Sequence, residues 1–221
     1  MSATLKSTNR ISPEEYLEGE KFAGIRHEYA DGYVYAMAGT SDDHNRIAGN
    51  ILAFLHAASA SSILPPIEKR IAENIVAVLR PAMRGEPCEL FSTDMKVRIP
   101  PTFGEVFYYP DVMAVCDRTD NYQYYRERPL IIFEVISPET ERTDRREKAI
   151  AYREIPTIQT YVLVEQDRVA ATILLPANPG WQSEMLEEPG SVMKIPAIGV
   201  EIPLERIYER TSLAGAGPHT N

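Results

Sequence analysis

The chain has 221 residues, 44% of them hydrophobic, with 32 acidic and 23 basic side chains and a net charge of -9. That length fits one domain, or one domain with a small insertion. The acidic balance excludes a general nucleic-acid coat, whose affinity rests on neutralising phosphates with Lys and Arg, but leaves room for a local basic groove or a carboxylate metal site.

Residues 1–11 are polar and read as a disordered N-terminus without the apolar core of a signal peptide. Ser12-Pro13-Glu14-Glu15 is a helix start, with Ser12 as N-cap and Glu15 closing a capping box. That helix runs to about Phe22. Asp31-Gly32, between β-prone runs, is a two-residue hairpin signal. Thr40-Ser41-Asp42-Asp43 opens a second helix with acidic residues at its positive end. Ile47, Ile51, Leu55 and Ala58 repeat on one face of it. Pro65-Pro66 breaks it, and Ile67 to Leu79 reads as another helix before Pro81.

Two strands follow, about Cys88–Phe91 and Met95–Ile99. The runs Val106–Val115 and Leu130–Ile136 are apolar, β-branched and aromatic, so both read as buried strands. A loop rich in tyrosine and arginine, Asp117 to Arg128, separates them. Thr140 to Glu154 reads as a helix, Gln159–Glu165 and Val169–Leu175 as strands joined at Gln166-Asp167. Short strands run from Gly180-Trp181 to about Tyr208, and residues 209–221 are a disordered tail by composition. The order implies an α/β or α+β layer, a central mixed β-sheet flanked by helices. Cys88 and Cys116 form no CxxC pair and read as two reduced thiols of a cytoplasmic protein. No stretch has the length of a membrane helix, so no membrane partner is expected.

Two carboxylates stand inside the buried strands, Asp111 after Pro110 and Glu134 within Leu130–Ile136. An ionised carboxylate is costly there unless a cation or hydrogen bonds meet it. Side chains alternate along a strand, so Asp111, Met113 and Val115 share one face, as do Ile132, Glu134 and Ile136. If the strands pair, the two carboxylates lie close, and a divalent cation relieves their repulsion. Oxygen ligands select a hard ion, Mg²⁺ or Mn²⁺. Asp144, Lys148 and Tyr152 are spaced four apart on one helix face. Arg142, Arg145 and Arg146 make a basic patch suited to nucleic acid. Lys148 is the candidate for holding water or a scissile phosphate. Each residue also has an ordinary structural reading: Asp111 as a strand-edge turn residue, Asp144 with Lys148 as an exposed helix ion pair, Tyr152 as a core aromatic.

Pro110-Asp111, Phe133-Glu134-Val135-Ile136-Ser137-Pro138-Glu139-Thr140, Asp144, Lys148, Tyr152 and Tyr161-Val162-Leu163-Val164 together resemble the Uma-type restriction endonucleases of the PD-(D/E)xK nuclease superfamily. Arg26-His27-Glu28-Tyr29, Asp31-Gly32, Met37–Ser41, His44 and Ser92-Thr93-Asp94 extend the likeness over residues 12–208, which read as a single nuclease-like domain. The resemblance implies a restriction-endonuclease-like core, Mg²⁺, a DNA substrate and, for double-strand cutting, a homodimer. It makes Asp111 and Glu134 metal ligands and Glu28 a third acidic group, with His44 a further site residue. The superfamily's lysine, two residues after Glu134, is replaced by Ile136, and Lys148 stands in for it. Residues 61–85 read as an added helical insertion. A nuclease fold that has lost activity and serves as a binding or assembly module is the alternative. A two-carboxylate glycoside hydrolase is weaker, having no use for the adjacent lysine and arginines.

Overall fold

The computed structural model describes residues 10–37, 46–48, 50–51, 88–92, 95–100, 104–136, 143–188, 190–208, 211 and 213. Helix α1 (Pro13–Glu20) begins as its sequence demands. The Glu15 N–H donates to the Ser12 hydroxyl at 3.1 Å, and the Ser12 N–H to the Glu15 carboxylate at 2.8 Å. Two otherwise orphaned donors are thereby satisfied. The hairpin of β1 (His27–Ala30) and β2 (Tyr33–Ala36) turns at Asp31 and Gly32, with φ of 45° and 89°. A side chain at Gly32 would be strained, and its Cβ would lie 2.9 Å from that of Arg10.

Two sheets form the body of the molecule. The five-stranded sheet has the order β2-β1-β5-β4-β7, with β4 (Lys96–Ile99), β5 (Val106–Tyr108) and β7 (Tyr125–Arg126). The six-stranded sheet contains β3 (Glu89–Ser92), β6 (Val112–Val115), β8 (Ile131–Ile136), β9 (Thr160–Glu165), β10 (Ala171–Pro176) and β11 (Trp181–Leu186), in the order β11-β10-β9-β8-β6-β3. Among the described residues only β8 and β9 are parallel within it, and a parallel pair needs a long crossover. That crossover includes a π-helical turn, Thr143–Lys148, running into α2 (Ala149–Arg153). A hairpin of β12 (Val192–Ile195) and β13 (Val200–Pro203) and the short α3 (Leu204–Ile207) follow.

Strand alternation sorts the core into layers. Val97, Ile99, Val106 and Tyr108 of one sheet face Met113, Val115, Ile132, Ile136 and Tyr161 of the other, with Ala149 and Tyr152 of α2 joining them. The opposite face of the six-stranded sheet, including Val112, Phe133, Val135 and Val162, is covered by Ile195, Ile202, Ile207 and Ile47. Strands β6 and β8 are therefore buried on both faces, which is why their sequences are nearly unbroken apolar runs. Burying each Ile or Phe side chain contributes about 1.5–3 kcal/mol. Tyr29 and Phe107, on the outer face of the five-stranded sheet, pack against Tyr16 of α1.

Four expectations change. Cys88 and Cys116 are joined in a disulfide rather than being free thiols. The antiparallel register Glu89↔Val115 makes them the next opposed pair, with Cα atoms 4.0 Å apart, a consequence of register that spacing along the chain does not reveal. The central sheet is paired with a second sheet as well as with helices, because the hairpin recruits β4, β5 and β7. The expected helix Thr140–Glu154 opens with the π-helical turn, and the tyrosine-rich loop carries β7 at its end. The second helix is described only at 46–48 and 50–51, with Ile47 and Ile51 fully buried. The segment 61–85 and most of the tail lie outside the described residues.

Candidate active site

The register Val112↔Phe133 of the antiparallel pair β6–β8 places Asp111 opposite Glu134. Both lie on the layer between the sheets, 9% and 2% exposed. The β6 ladder begins at Val112, one residue after Asp111, and Pro110 supplies no N–H to extend it. The Val135 N–H donates to Asp111 Oδ2 at 2.7 Å, which ties the Asp111 carboxylate to the neighbouring strand. The Tyr152 hydroxyl donates to Glu134 Oε1 at 2.8 Å. Lys148 Nζ lies 3.4 Å from that same oxygen and 2.9 Å from Glu28 Oε1. One buried ammonium is thus shared by carboxylates from both sheets, and it also sits over the Tyr108 ring at 5.5 Å.

The π-helical turn ends at Lys148, and Tyr152 follows four residues later in α2, so both side chains converge on Glu134 Oε1. Wider helical turns of this kind recur at functional sites. Burial, then the Glu134 charge, pushes the Tyr152 phenol well above its ordinary pKa, so it remains a donor. Burial, then Glu28, pushes Tyr108 up to about 12. Glu28 Oε1 is fully enclosed and meets Lys148 at ion-pair distance without hydrogen-bond geometry. Among the described residues, three carboxylates and the Lys148 ammonium meet here, so the cluster is rich in oxygen donors.

The sequence-derived residues divide clearly. Asp111, Glu134, Lys148, Tyr152 and Glu28 come together. Ile136 is packed in the apolar core, so within this layer the cation comes from the helix. Arg145 pairs with Glu165 on β9, which Arg168 also approaches at 3.5 Å, and Arg146 is exposed. Asp144 lies in the π-helical turn. The Asp144 side chain, His44 and Arg142 lie outside the described residues. Tyr108 was not anticipated; its signal is the alternation that puts it beside Glu28 in the sheet. Among the described residues no three His, Cys, Asp or Glu side chains form a ready-made cation cage.

The family model described as Uma2, "Putative restriction endonuclease", matches residues 13–65 and 60–205. The chain belongs to the Uma2 family. Two relatives from Synechocystis sp. are similar to it. The uncharacterized protein slr1290 is 27% identical over 200 residues, covering 90% of this chain and 92% of the relative. The uncharacterized protein sll1609 is 30% identical over 163 residues, covering 72% and 77%. A crystal structure titled as a putative nuclease belonging to DUF820, from Anabaena variabilis, superposes with a TM-score of 0.61 at 14% identity, over 90% of this chain and 97% of that one. The Uma2 fold seen here is accordingly α+β and restriction-endonuclease-like. Among the described residues no helix is long and apolar enough to cross a membrane.

Proposed function

We propose that this Uma2 protein is an endonuclease that hydrolyses DNA phosphodiester bonds with the help of Mg²⁺ or Mn²⁺. The observation that carries the reading is Asp111 opposed to Glu134 across β6–β8, with Lys148 and Tyr152 both on Glu134. The donor chemistry fits a hard cation. All the candidate ligands are carboxylate oxygens, and Mg²⁺ is commonly held by one or two carboxylates, with phosphate and water completing its shell. Asp111 and Glu134 would hold the ion, with Glu28 as the third acidic group. Bound there, it would supply an activated water and offset charge on the phosphoryl group.

The chain's own residues have separate tasks. The Val135 N–H and the Tyr152 hydroxyl orient Asp111 and Glu134 before substrate arrives. Lys148 moves between Glu134 and a phosphate oxygen, taking the role that Ile136 cannot. Two copies acting on opposite strands, in the cytoplasm, complete the proposal. A second reading, a binding module without turnover, is favoured by one observation: Lys148 is already held by Glu28 and Glu134.

The test is calorimetric titration of Mg²⁺ or Mn²⁺ with plasmid nicking followed in parallel, in the wild type and in Asp111→Ala. Binding and nicking are both expected to be lost in the variant, nicking by about a thousandfold, the rate equivalent of several kcal/mol of lost charge stabilisation. Undiminished nicking by Asp111→Ala overturns the site assignment. Wild-type cation binding without nicking favours the binding module.

A further inference from the structure

Behind the carboxylate cluster, on the outer face of the five-stranded sheet, lies a second buried cation. Lys96 is the first residue of β4 and is 5% exposed. The register Val97↔Tyr108 puts Lys96 opposite Tyr109, and its parallel partner is Tyr125. The Lys96 ammonium lies over the Tyr109 ring at 5.0 Å and the Tyr16 ring at 5.7 Å. Among the described residues it has no ion pair and no hydrogen bond. The carboxylate it feels is that of Glu20, which is already held by the His27 N–H at 2.9 Å, His27 Nδ1 at 3.2 Å and the Tyr109 hydroxyl at 3.2 Å. The ammonium of a buried lysine that faces two rings, with no paired anion among the described residues, is costly unless an anion completes it. Desolvation accordingly lowers its pKa, with Glu20 opposing in part. The Lys96 Nζ is not completely enclosed.

Topology places Lys96 at one end of the sheet. β1 starts at His27, β5 ends at Tyr108, and β4 and β7 start at Lys96 and Tyr125, so these residues share one end of the sheet. Asp111 follows β5 by three residues, and Glu28 is the second residue of β1. The carboxylate cluster and Lys96 therefore meet at the same sheet end, on opposite faces. The segments leading into β1 and β7 lie at this end too. They carry Phe22, 83% exposed, Ile25, and Tyr124, 39% exposed with Lys21 Nζ 5.2 Å above its ring. Exposed rings beside cations form the kind of platform on which bases of a single strand stack.

We propose that Lys96 is a phosphate anchor, with Tyr124 and Phe22 as stacking faces, in a track that holds a single-stranded nucleic-acid segment running into the carboxylate site. This rests on the reading of that site as a nuclease. A backbone phosphate at Nζ completes the ammonium that Glu20 leaves unpaired, and the next bases reach the rings beside it. Lys96 is a positioning residue here, separate from the reacting atoms.

The test measures binding of a labelled single-stranded oligonucleotide to the full chain in EDTA, by anisotropy across a salt series, with a duplex of the same sequence in parallel. Lys96→Met is expected to weaken single-strand binding about tenfold and to lower the salt slope by about one. Lys96→Arg should retain both. Tyr124→Ala, at an exposed position, should weaken the single strand about tenfold and the duplex less, and it carries the test if Lys96→Met does not fold. Wild-type affinity and slope in both Lys96→Met and Tyr124→Ala, or no oligonucleotide binding by the wild type, overturns the track. The two readings fail separately. Nicking without Lys96-dependent binding removes the track alone, and Lys96-dependent binding without nicking removes the nuclease reading alone.

Discussion

The two faces of the five-stranded sheet solve the same problem differently. Neighbouring residues in each strand point to opposite sides, so Glu28, Tyr108 and Val97 look inward while His27, Tyr109 and Lys96 look outward. Inward, the Lys148 ammonium is met by Glu28 and Glu134. Outward, the Lys96 ammonium is met by two tyrosine rings, while its neighbouring carboxylate is held by other donors. In the first arrangement the ammonium is paired with carboxylates, so removing it harms the fold. The second is mismatched, so removing its cation relieves the fold. Where a structure tolerates an uncompensated buried charge, the reason is sought in function.

Lys148→Met should break the comparison most severely. It removes the ammonium that Glu28 and Glu134 share. Removing one partner from a buried pair costs roughly 3–5 kcal/mol, so urea midpoints should fall sharply, along with any nicking activity. Adding Glu134→Gln to Lys148→Met should recover part of that stability, since it removes the stranded charge. Additive losses from the two substitutions would show that the contacts are not coupled.

A smaller effect is expected from Tyr152→Phe. Glu134 Oε1 loses its hydroxyl donor while staying buried, a cost of about 1–3 kcal/mol, read in the same denaturation series. Tyr108 offers a pH counterpart. Its phenol, pushed up to about 12, keeps its proton where the unfolded chain's phenol, near 10, has lost it. The unfolded chain then binds fewer protons, so this contribution is whole below about pH 10 and is lost as pH rises through about 12. Tyr108→Phe should flatten that alkaline decline.

Period-two alternation and four-residue helical spacing made Asp111, Glu134, Lys148 and Tyr152 legible in the sequence, because each lies in or beside a regular element. The α+β class was legible for the same reason. Glu28 was reached only through the family pattern, since alone it reads as a solvated strand residue. The Cys88–Cys116 bond was not legible, because it depends on the register between β3 and β6. Lys96 was hidden for a related reason. In Met95–Ile99 it reads as an ordinary polar position of an alternating strand. Its burial comes from α1, in which Tyr16 and Glu20 lie some eighty residues earlier, and from Tyr109 on another strand. The split of one expected sheet into two likewise rests on pairings between distant segments, which propensity does not encode.

The sharpest form of the comparison is a difference in sign, although its magnitude is the smallest. Lys96→Met replaces a poorly compensated ammonium with an apolar chain of similar length. Tyr16 and Tyr109 keep a packing partner, and Glu20 keeps its own donors. Replacing buried charge by a well-packed apolar side chain is often neutral or stabilising. The expected change is a gain of up to about 1 kcal/mol at neutral pH, where Lys148→Met produces a loss. The proton linkage agrees. A lysine whose folded pKa is depressed binds its proton more weakly in the folded chain than in the unfolded one, so protonation destabilises the fold as pH falls through that folded value. The advantage of Lys96→Met should therefore be largest below the folded pKa and shrink as pH rises toward the ordinary lysine range. Thermal melts at neutral pH and near pH 10 test both parts. A loss of stability in Lys96→Met at neutral pH would mean that the tyrosine rings compensate the ammonium fully, and the contrast between the two faces would then vanish.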